Sequence, residues 1–372
     1  MDEKFLLRNV FDKNAVNKIA DCIYNVFPGF EKAQFQNEIL DELEKLDYGA
    51  RCKLIAESLR KYLPQNFADA VNILIAALPP ELPDSDLKGF NGFIIMPQCD
   101  FVAYNGVDYP EISLNALYEM TKRFTAEGQI RVFIKNHYSM TMEFLNKLTS
   151  DKSPYARRLA TEGTRPRLPL GSRLDVFIQD PAPVIEILEK LKNDPSEMVR
   201  RSVANNLNDI SKDNPDVVTA TLKKWLAEDN SNQMQKLVKH SLRTLEKQGN
   251  PQALEILGFT PVEDIDVVDF MIKTPEIKTG EYLEFCFDVR NKGKEEVNLL
   301  IDYLLFYVKA NGKLSPKVFK LTKKVLKAGE TINVKKRHSF KPIGIRPFYS
   351  GVHKIEVQIN GKIFEGNQFL LL

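Results

Sequence analysis

DKSPYARRLATE (residues 151–162) and DPSEMVRRSVAN (194–205) share one pattern at an offset of 43 residues, and DNSNQMQKLVKH (229–240) repeats it more loosely after a further 35. A period near 40 residues is the size of a helical hairpin repeat, with the D-x-x-x-x-V-R-R element opening the second helix of each hairpin. Each such helix has an apolar stripe that one helix cannot cover, so stacking hairpin on hairpin is the simplest way to bury it. Where the second copy has Asn205 and the third His240, the first has Glu162.

Upstream of this stretch the same helical character holds. NKIADCIYNVF (17–27), EKAQFQNEILDELEKL (31–46) and GARCKLIAESLRKYL (49–63) place apolar residues at i, i+3, i+4 and i+7, with Pro28, Pro64 and the pair Pro79, Pro80 between segments. Downstream, after GFTPVED (258–264), the period switches to two. Runs at 266–272, 282–289, 297–308, 317–326, 331–340 and 353–359, and the closing FEGNQFLLL, are separated by the turn signals NKGK, KANGK, LKAGE and INGK. About seven short strands in this length read as an immunoglobulin-like β-sandwich. The predicted architecture is α then β: a HEAT-like helical repeat solenoid over residues 1–260, followed by a sandwich over 263–372.

The composition narrows the function. The longest apolar run, AVNILIAAL (70–78), is too short to span a bilayer, and MDEKFLLRNV lacks the order of a signal peptide. These features predict a cytoplasmic protein with no membrane partner. Cys22, Cys52, Cys99 and Cys286 form no C-x-x-C pair, and His137, His240, His338 and His353 are scattered. Neither structural zinc nor a disulfide framework is expected. No phosphate-binding glycine loop of either common kind is present, so no nucleotide cofactor is expected.

The net charge of +2 is graded along the chain: residues 1–150 carry −5, 151–262 carry +2 and 263–372 carry +5. Between residues 305 and 341 eleven basic residues stand against the single acid Glu330. Such asymmetry fits faces built for a polyanion.

Within ARRLATEGTRPRLP (156–169) the basic residues surround one acid. Ser153 and Pro154 are a suitable N-cap and N1 pair and Gly163 a natural C′ residue, so the predicted helix runs from Pro154 to Glu162. A carboxylate in the last turn meets the negative end of the helix dipole. Two readings stand: an i,i+4 ion pair with Arg158, worth about 0.3–0.5 kcal/mol, or a negative focus for a cationic reaction centre. In the loop that follows, Arg165 and Arg167 flank Pro166. Together with Arg157, Arg158 and Arg173 they read as phosphate contacts, because the planar guanidinium fork matches phosphate and a stiff loop loses little entropy on binding. Arg200 and Arg201, in the second repeat copy, are assigned to the same role.

Glu127, in SLNALYEMTKRFTAEGQIRVFI (113–134), is expected in the first turn of a helix capped by Thr125, where a carboxylate is stabilised. On the sandwich, Lys309, Lys317 and Lys320, with Lys313, Lys323 and Lys324, cluster on one hairpin. Lysines protecting an edge strand would explain some of them, and phosphate tracking would explain the whole set.

LATEGTRPRLP, SLNALYEMTKRFTAE and VKANGK with PKVFKL resemble the AlkC type of DNA alkylation repair glycosylase, in the variant with an immunoglobulin-like domain. FPGF (27–30) and the G-F-x-G-F-x-x-M-P segment (89–97) extend the resemblance to nearly the whole chain. It implies a monomeric enzyme gripping double-stranded DNA and excising cationic N3-methylated bases, chiefly 3-methyladenine and 3-methylcytosine, without flipping them into a pocket. Glu127 and Glu162 would be its catalytic acids, Arg158 would position the site or the DNA backbone, and neither metal nor cofactor would be needed. Related sequences often carry an aromatic residue where this chain has Leu170. The rival reading is a non-catalytic HEAT-repeat scaffold that binds DNA or protein through the same arginines.

Overall fold

Asp12, Asp47 and Asn66 each precede a run of helical periodicity, and each side chain accepts the N–H three residues on, at 2.8, 3.0 and 3.1 Å. These caps satisfy amide groups that the helix itself leaves open. The computed structural model describes residues 6–83, 91–342 and 347–372; residues 89 and 90 of the G-F-x-G-F segment lie outside them. The described chain forms two compact units, Met1–Asn214 and Pro215–Leu372.

The first unit contains α1 (Lys13–Val26), α2 (Lys32–Leu43), α3 (Tyr48–Tyr62), α4 (Phe67–Ala76), α5 (Met96–Asn105) and α6 (Pro110–Thr121). It continues through α7 (Ile130–Asn136), α8 (Tyr138–Leu148), α9 (Pro154–Glu162), α10 (Asp175–Gln179), α11 (Ala182–Leu191) and α12 (Glu197–Ile210). Prolines occupy the first turn of α5, α6 and α9, where a missing N–H costs nothing. The two closest repeat copies are α9 and α12, and they pack directly on each other. Tyr155, Ala156 and Leu159 of α9 and Val199, Val203 and Leu207 of α12 supply buried apolar surface to that stack.

Two local expectations change. Ser153 makes no side-chain cap; Asp151 instead accepts the Ser153 N–H at 2.7 Å. Gly163 keeps a right-handed backbone (φ −62°) rather than the left-handed C′ conformation. Its glycine character is required by proximity: a Cβ there would lie 2.6 Å from Ile130 Cγ2 and 2.9 Å from the Leu159 carbonyl. The end of α9 therefore seats against the start of α7.

The second unit begins with α13 (Pro215–Glu228), α14 (Asn232–Ser241), α15 (Arg243–Gln248) and α16 (Pro251–Ile256). Eight strands follow: β1 (Ile265–Ile272), β2 (Glu276–Ile277), β3 (Tyr282–Asn291), β4 (Val297–Val308), β5 (Leu314–Leu326), β6 (Thr331–Ser339), β7 (Gly351–Ile359) and β8 (Lys362–Leu371). They form a sheet ordered β1-β3-β6 and another ordered β2-β8-β7-β4-β5. All pairs are antiparallel except β2 with β8. Phe285, Phe287, Tyr303, Leu305, Phe340, Ile355 and Phe369 fill the core between the sheets. The change from helix to strand lies between α16 and β1, while the compact units divide earlier, at 214/215.

The other face of β4 is buried too. Leu300 packs with Leu254 and Phe259, and Gly249 approaches Gly361 so closely that a Cβ on it would lie 2.6 Å from Gly361 Cα. Nearby, the buried Glu246 of α15 binds both Lys320, through a very short contact, and Lys323 at 3.2 Å. Burial works against ionisation of Glu246, yet the two ammonium groups hold its carboxyl below the usual range.

Candidate active site

Phe124, Ala126 and Ile130 are buried, so the turn between α6 and α7 is fixed at both ends while Glu127 stays partly accessible. Glu127 thus sits in a turn before α7, not in the helix's first turn. Thr125 still engages it: the Thr125 hydroxyl donates to Glu127 Oε2 (2.8 Å) and lies 3.3 Å from the Glu127 N–H. Arg158 of α9 reaches the same carboxylate, Nη2 to Oε2 at 2.8 Å, and Nη1 donates to Thr125 Oγ1 at 3.3 Å.

Glu162, one turn later on α9, is only 3% exposed. Its Oε1 lies 3.8 Å from Arg158 and its Oε2 accepts from Arg165 Nη1 at 2.8 Å. Arg165 also donates through Nε to Asp209 of α12 at 2.7 Å, and Asp209 accepts from Lys212 at 2.7 Å. Glu127, Arg158, Glu162, Arg165, Asp209 and Lys212 therefore form a line of alternating charges.

Burial opposes ionisation of Glu162. The charges of Arg158 and Arg165, with hydrogen bonds from Arg165 and Ser202, outweigh it and hold the carboxyl below the usual range. Burial likewise opposes the Arg165 cation, and Glu162 and Asp209 more than restore it. At neutral pH the site presents a carboxylate that stays ionised in an almost dry setting, where its field is poorly screened.

The expected phosphate contacts separate into two groups. Arg157 binds Asp194 at 2.6 and 2.9 Å and the carbonyls of Asp151 and Lys152 at 2.8 and 3.0 Å, so its fork is engaged inside the fold. Arg165 is buried between Glu162 and Asp209. Arg167 forms a two-pronged pair with Asp213 at 2.7 and 2.6 Å, and Arg200 donates to the carbonyls of Asp194 and Pro195 at 2.6 and 2.9 Å. Lys320 is held by Glu246. Arg157 and Arg165 are corrected from surface phosphate contacts to internal ties, because the carboxylates of Asp194 and Asp209, supplied by distant sequence, take their donors, whereas Arg167, Arg200 and Lys320 have partners within the fold and remain partly or fully accessible. Arg173, Arg201, Lys309 and Lys317 are exposed. Of these, Arg173 is 3.8 Å from Asp175, and Lys317 lies over the Phe319 ring at 5.0 Å. Leu170 is 97% exposed and adopts a left-handed backbone (φ 60°).

Two residues of this region were not foreseen. Asp209 ends the buried polar face Asn206, Asn208, Asp209 of α12, and the run VANNLNDI shows that unusual polarity. Arg131 lies fully buried beside Ile130 and Phe133, a cation set in the otherwise apolar IRVFI. Among the described residues no group of three His, Cys, Asp or Glu could hold a metal ion, and no helix is long and apolar enough to cross a membrane.

A family model described as "DNA alkylation repair enzyme" matches residues 124–243, which contain Glu127, Arg158 and Glu162. Another, described as "Uncharacterised protein YhaZ, C-terminal Ig-like domain", matches residues 266–372. The alkylation repair model and the Ig-like domain, with the AlkC match below, define the class, a DNA glycosylase of alkylation repair. Over 364 residues the chain is 33% identical to the uncharacterized protein YhaZ of Bacillus subtilis (strain 168), covering 98% of each. It also matches the structure of Pseudomonas fluorescens alkylpurine DNA glycosylase AlkC bound to DNA containing an abasic site analog, with a TM-score of 0.89 and 30% identity, over 99% of this chain and 100% of that one. Within the DNA alkylation repair enzymes, the chain belongs to the AlkC type.

Proposed function

We propose that the protein hydrolyses the N-glycosidic bond of cationic N3-alkylated bases, 3-methyladenine and 3-methylcytosine, in double-stranded DNA, with Glu127 and Glu162 as its catalytic acids. The observation that carries this reading is the placement of both carboxylates around one guanidinium, with Glu162 held ionised by Arg158 and Arg165. A carboxylate so held is a poor general acid at neutral pH. A cationic nucleoside needs none: as the C1′–N bond breaks, its electron pair neutralises the ring and the base leaves uncharged.

The sugar left behind is oxocarbenium-like. Glu127 and Glu162 stabilise that positive charge, and one of them orients the water whose oxygen bonds to C1′ while its proton passes to carboxylate or solvent. The reaction so drawn uses no metal or nucleotide cofactor and no base-flipping pocket. That the related AlkC structure holds DNA with an abasic site analog supports DNA as the partner. The HEAT-like division into a catalytic body (1–260) and a DNA-gripping sandwich (263–372), a monomeric state and a cytoplasmic location belong to the same proposal. DNA contact is assigned to the exposed Arg173, Arg201, Lys309 and Lys317.

The test is release of methylated base from alkylated duplex by wild type, Glu127→Gln and Glu162→Gln under single turnover. Loss in both variants supports the reading. A wild type that releases neither 3-methyladenine nor 3-methylcytosine, or Gln variants that keep its rate, would leave a DNA-binding scaffold instead.

A further inference from the structure

Arg131 is fully buried, and among the described residues no carboxylate lies within ion-pair distance of it. Its guanidinium donates only to main-chain carbonyls: Gly163 at 3.1 Å and Arg165 at 2.6 Å from Nη1, and Ser172 at 2.8 Å from Nε and again, more closely, from Nη2. Taking a guanidinium out of water without a carboxylate is costly, and a well-packed apolar side chain would serve stability better. All three carbonyls belong to the loop that begins immediately after Glu162. Arg131 itself stands four residues after Glu127. The one side chain therefore fastens the segment of one acid to the segment of the other.

A second tie acts on the same turn. Gln129 Nε2 donates to Asp100 Oδ1 on α5 at 2.6 Å, while Asp100 Oδ2 takes a contact from Cys52 Sγ at 3.1 Å. Burial pushes the Asp100 carboxyl above its ordinary range, with the Gln129 and Cys52 hydrogen bonds opposing it. Gly163 and Ile130 close the frame by direct approach.

We propose that Arg131 and Gln129 are positioning residues that set the separation and aim of Glu127 and Glu162 by tying the 125–130 turn to the 163–172 loop and to α5. This rests on the glycosylase reading. A displacement of about 1 Å in such a site is worth on the order of 100-fold in rate. Neither residue needs to touch DNA for that effect.

The experiment compares wild type, Arg131→Lys, Gln129→Leu and Asp100→Asn as full-length proteins. It measures the single-turnover rate of 3-methyladenine release, the Kd for duplex carrying an abasic-site analogue, and Tm. Arg131→Lys is expected to lose on the order of 100-fold in rate and Gln129→Leu about 10-fold, both with unchanged Kd. Asp100→Asn keeps an acceptor oxygen for Gln129 and should hold close to the wild-type rate, as geometry rather than charge requires. Should Arg131→Lys fail to fold, Gln129→Leu and Asp100→Asn decide. An active wild type with Gln129→Leu at the wild-type rate overturns the inference alone, as does a loss appearing wholly in Kd. A wild type that releases no base overturns both this inference and the reading beneath it.

Discussion

The Arg158 guanidinium lies 2.8 Å from Glu127 Oε2 and extends toward Glu162, 3.8 Å away, so the two acids share one cation. The pairing fixes which protonation state of Glu162 is present at working pH.

Because the Glu162 carboxyl is held below the usual range, its ionised form persists above that depressed value and is lost as pH falls through it. The contribution of Glu162 to the acid limb of the wild-type excision rate should therefore lie below the ordinary carboxylate range. In Arg158→Met the largest charge holding Glu162 down is gone, and the acid limb should move to higher pH. A pH–rate profile of base release under single turnover reads both.

The two acids should separate in stability but not in activity. Glu162→Gln leaves Arg165 buried with half its partners and is expected to cost about 3 kcal/mol in denaturant unfolding. Glu127→Gln, at a partly exposed turn, should cost far less. Each should slow base release by about 100-fold or more, the scale at which one electrostatic group acts in a preorganised site.

Arginines and lysines should divide by salt dependence. Arg157→Ala removes the partner of the buried Asp194 and should lower stability by about 3 kcal/mol without changing the slope of log Kd against log salt. Lys320→Met should behave similarly, since Lys320 serves Glu246. Lys309→Ala and Lys317→Ala should each reduce that slope by roughly 0.9, the loss of one phosphate contact. DNA titrations at four salt concentrations would decide this.

Asp302, in the middle of β4, is fully buried, and the hydrogen bond that favours its ionised form comes from the Leu321 backbone. Burial pushes its pKa up to about 6, although Lys320 pulls the other way. Since this folded-state value lies above the unfolded one, stability should fall as pH rises from about 4 to about 6 and stay lowered above that. Asp302→Asn should remove the trend, gaining about 2 kcal/mol more at pH 8 than at pH 4. Urea unfolding at both pH values measures it.

Much of this molecule is visible in its sequence. The strands from β1 to β8 follow the alternating runs closely, because each is long enough to show alternation and is bounded by turn residues. The two-residue β2 is the exception, made by parallel pairing with β8, which no local pattern encodes. The ends of α9 follow Pro154 and Gly163, but the reason for Gly163 is its approach to Ile130, a contact across distant sequence. The convergence of Glu127, Arg158 and Glu162 was suggested by resemblance. The employment of the arginines was not legible, because their partners Asp194, Asp209 and Asp213 lie on segments far along the chain. Arg131 announces itself only as a cation in an apolar run, and its carbonyl partners depend on how the 163–172 loop closes.

The row of charges from Glu127 to Lys212 has a parity. Deleting an interior member leaves two like charges as neighbours, whereas deleting an adjacent pair restores alternation. Glu162→Gln combined with Arg165→Gln should therefore be less destabilising than the two single substitutions added together.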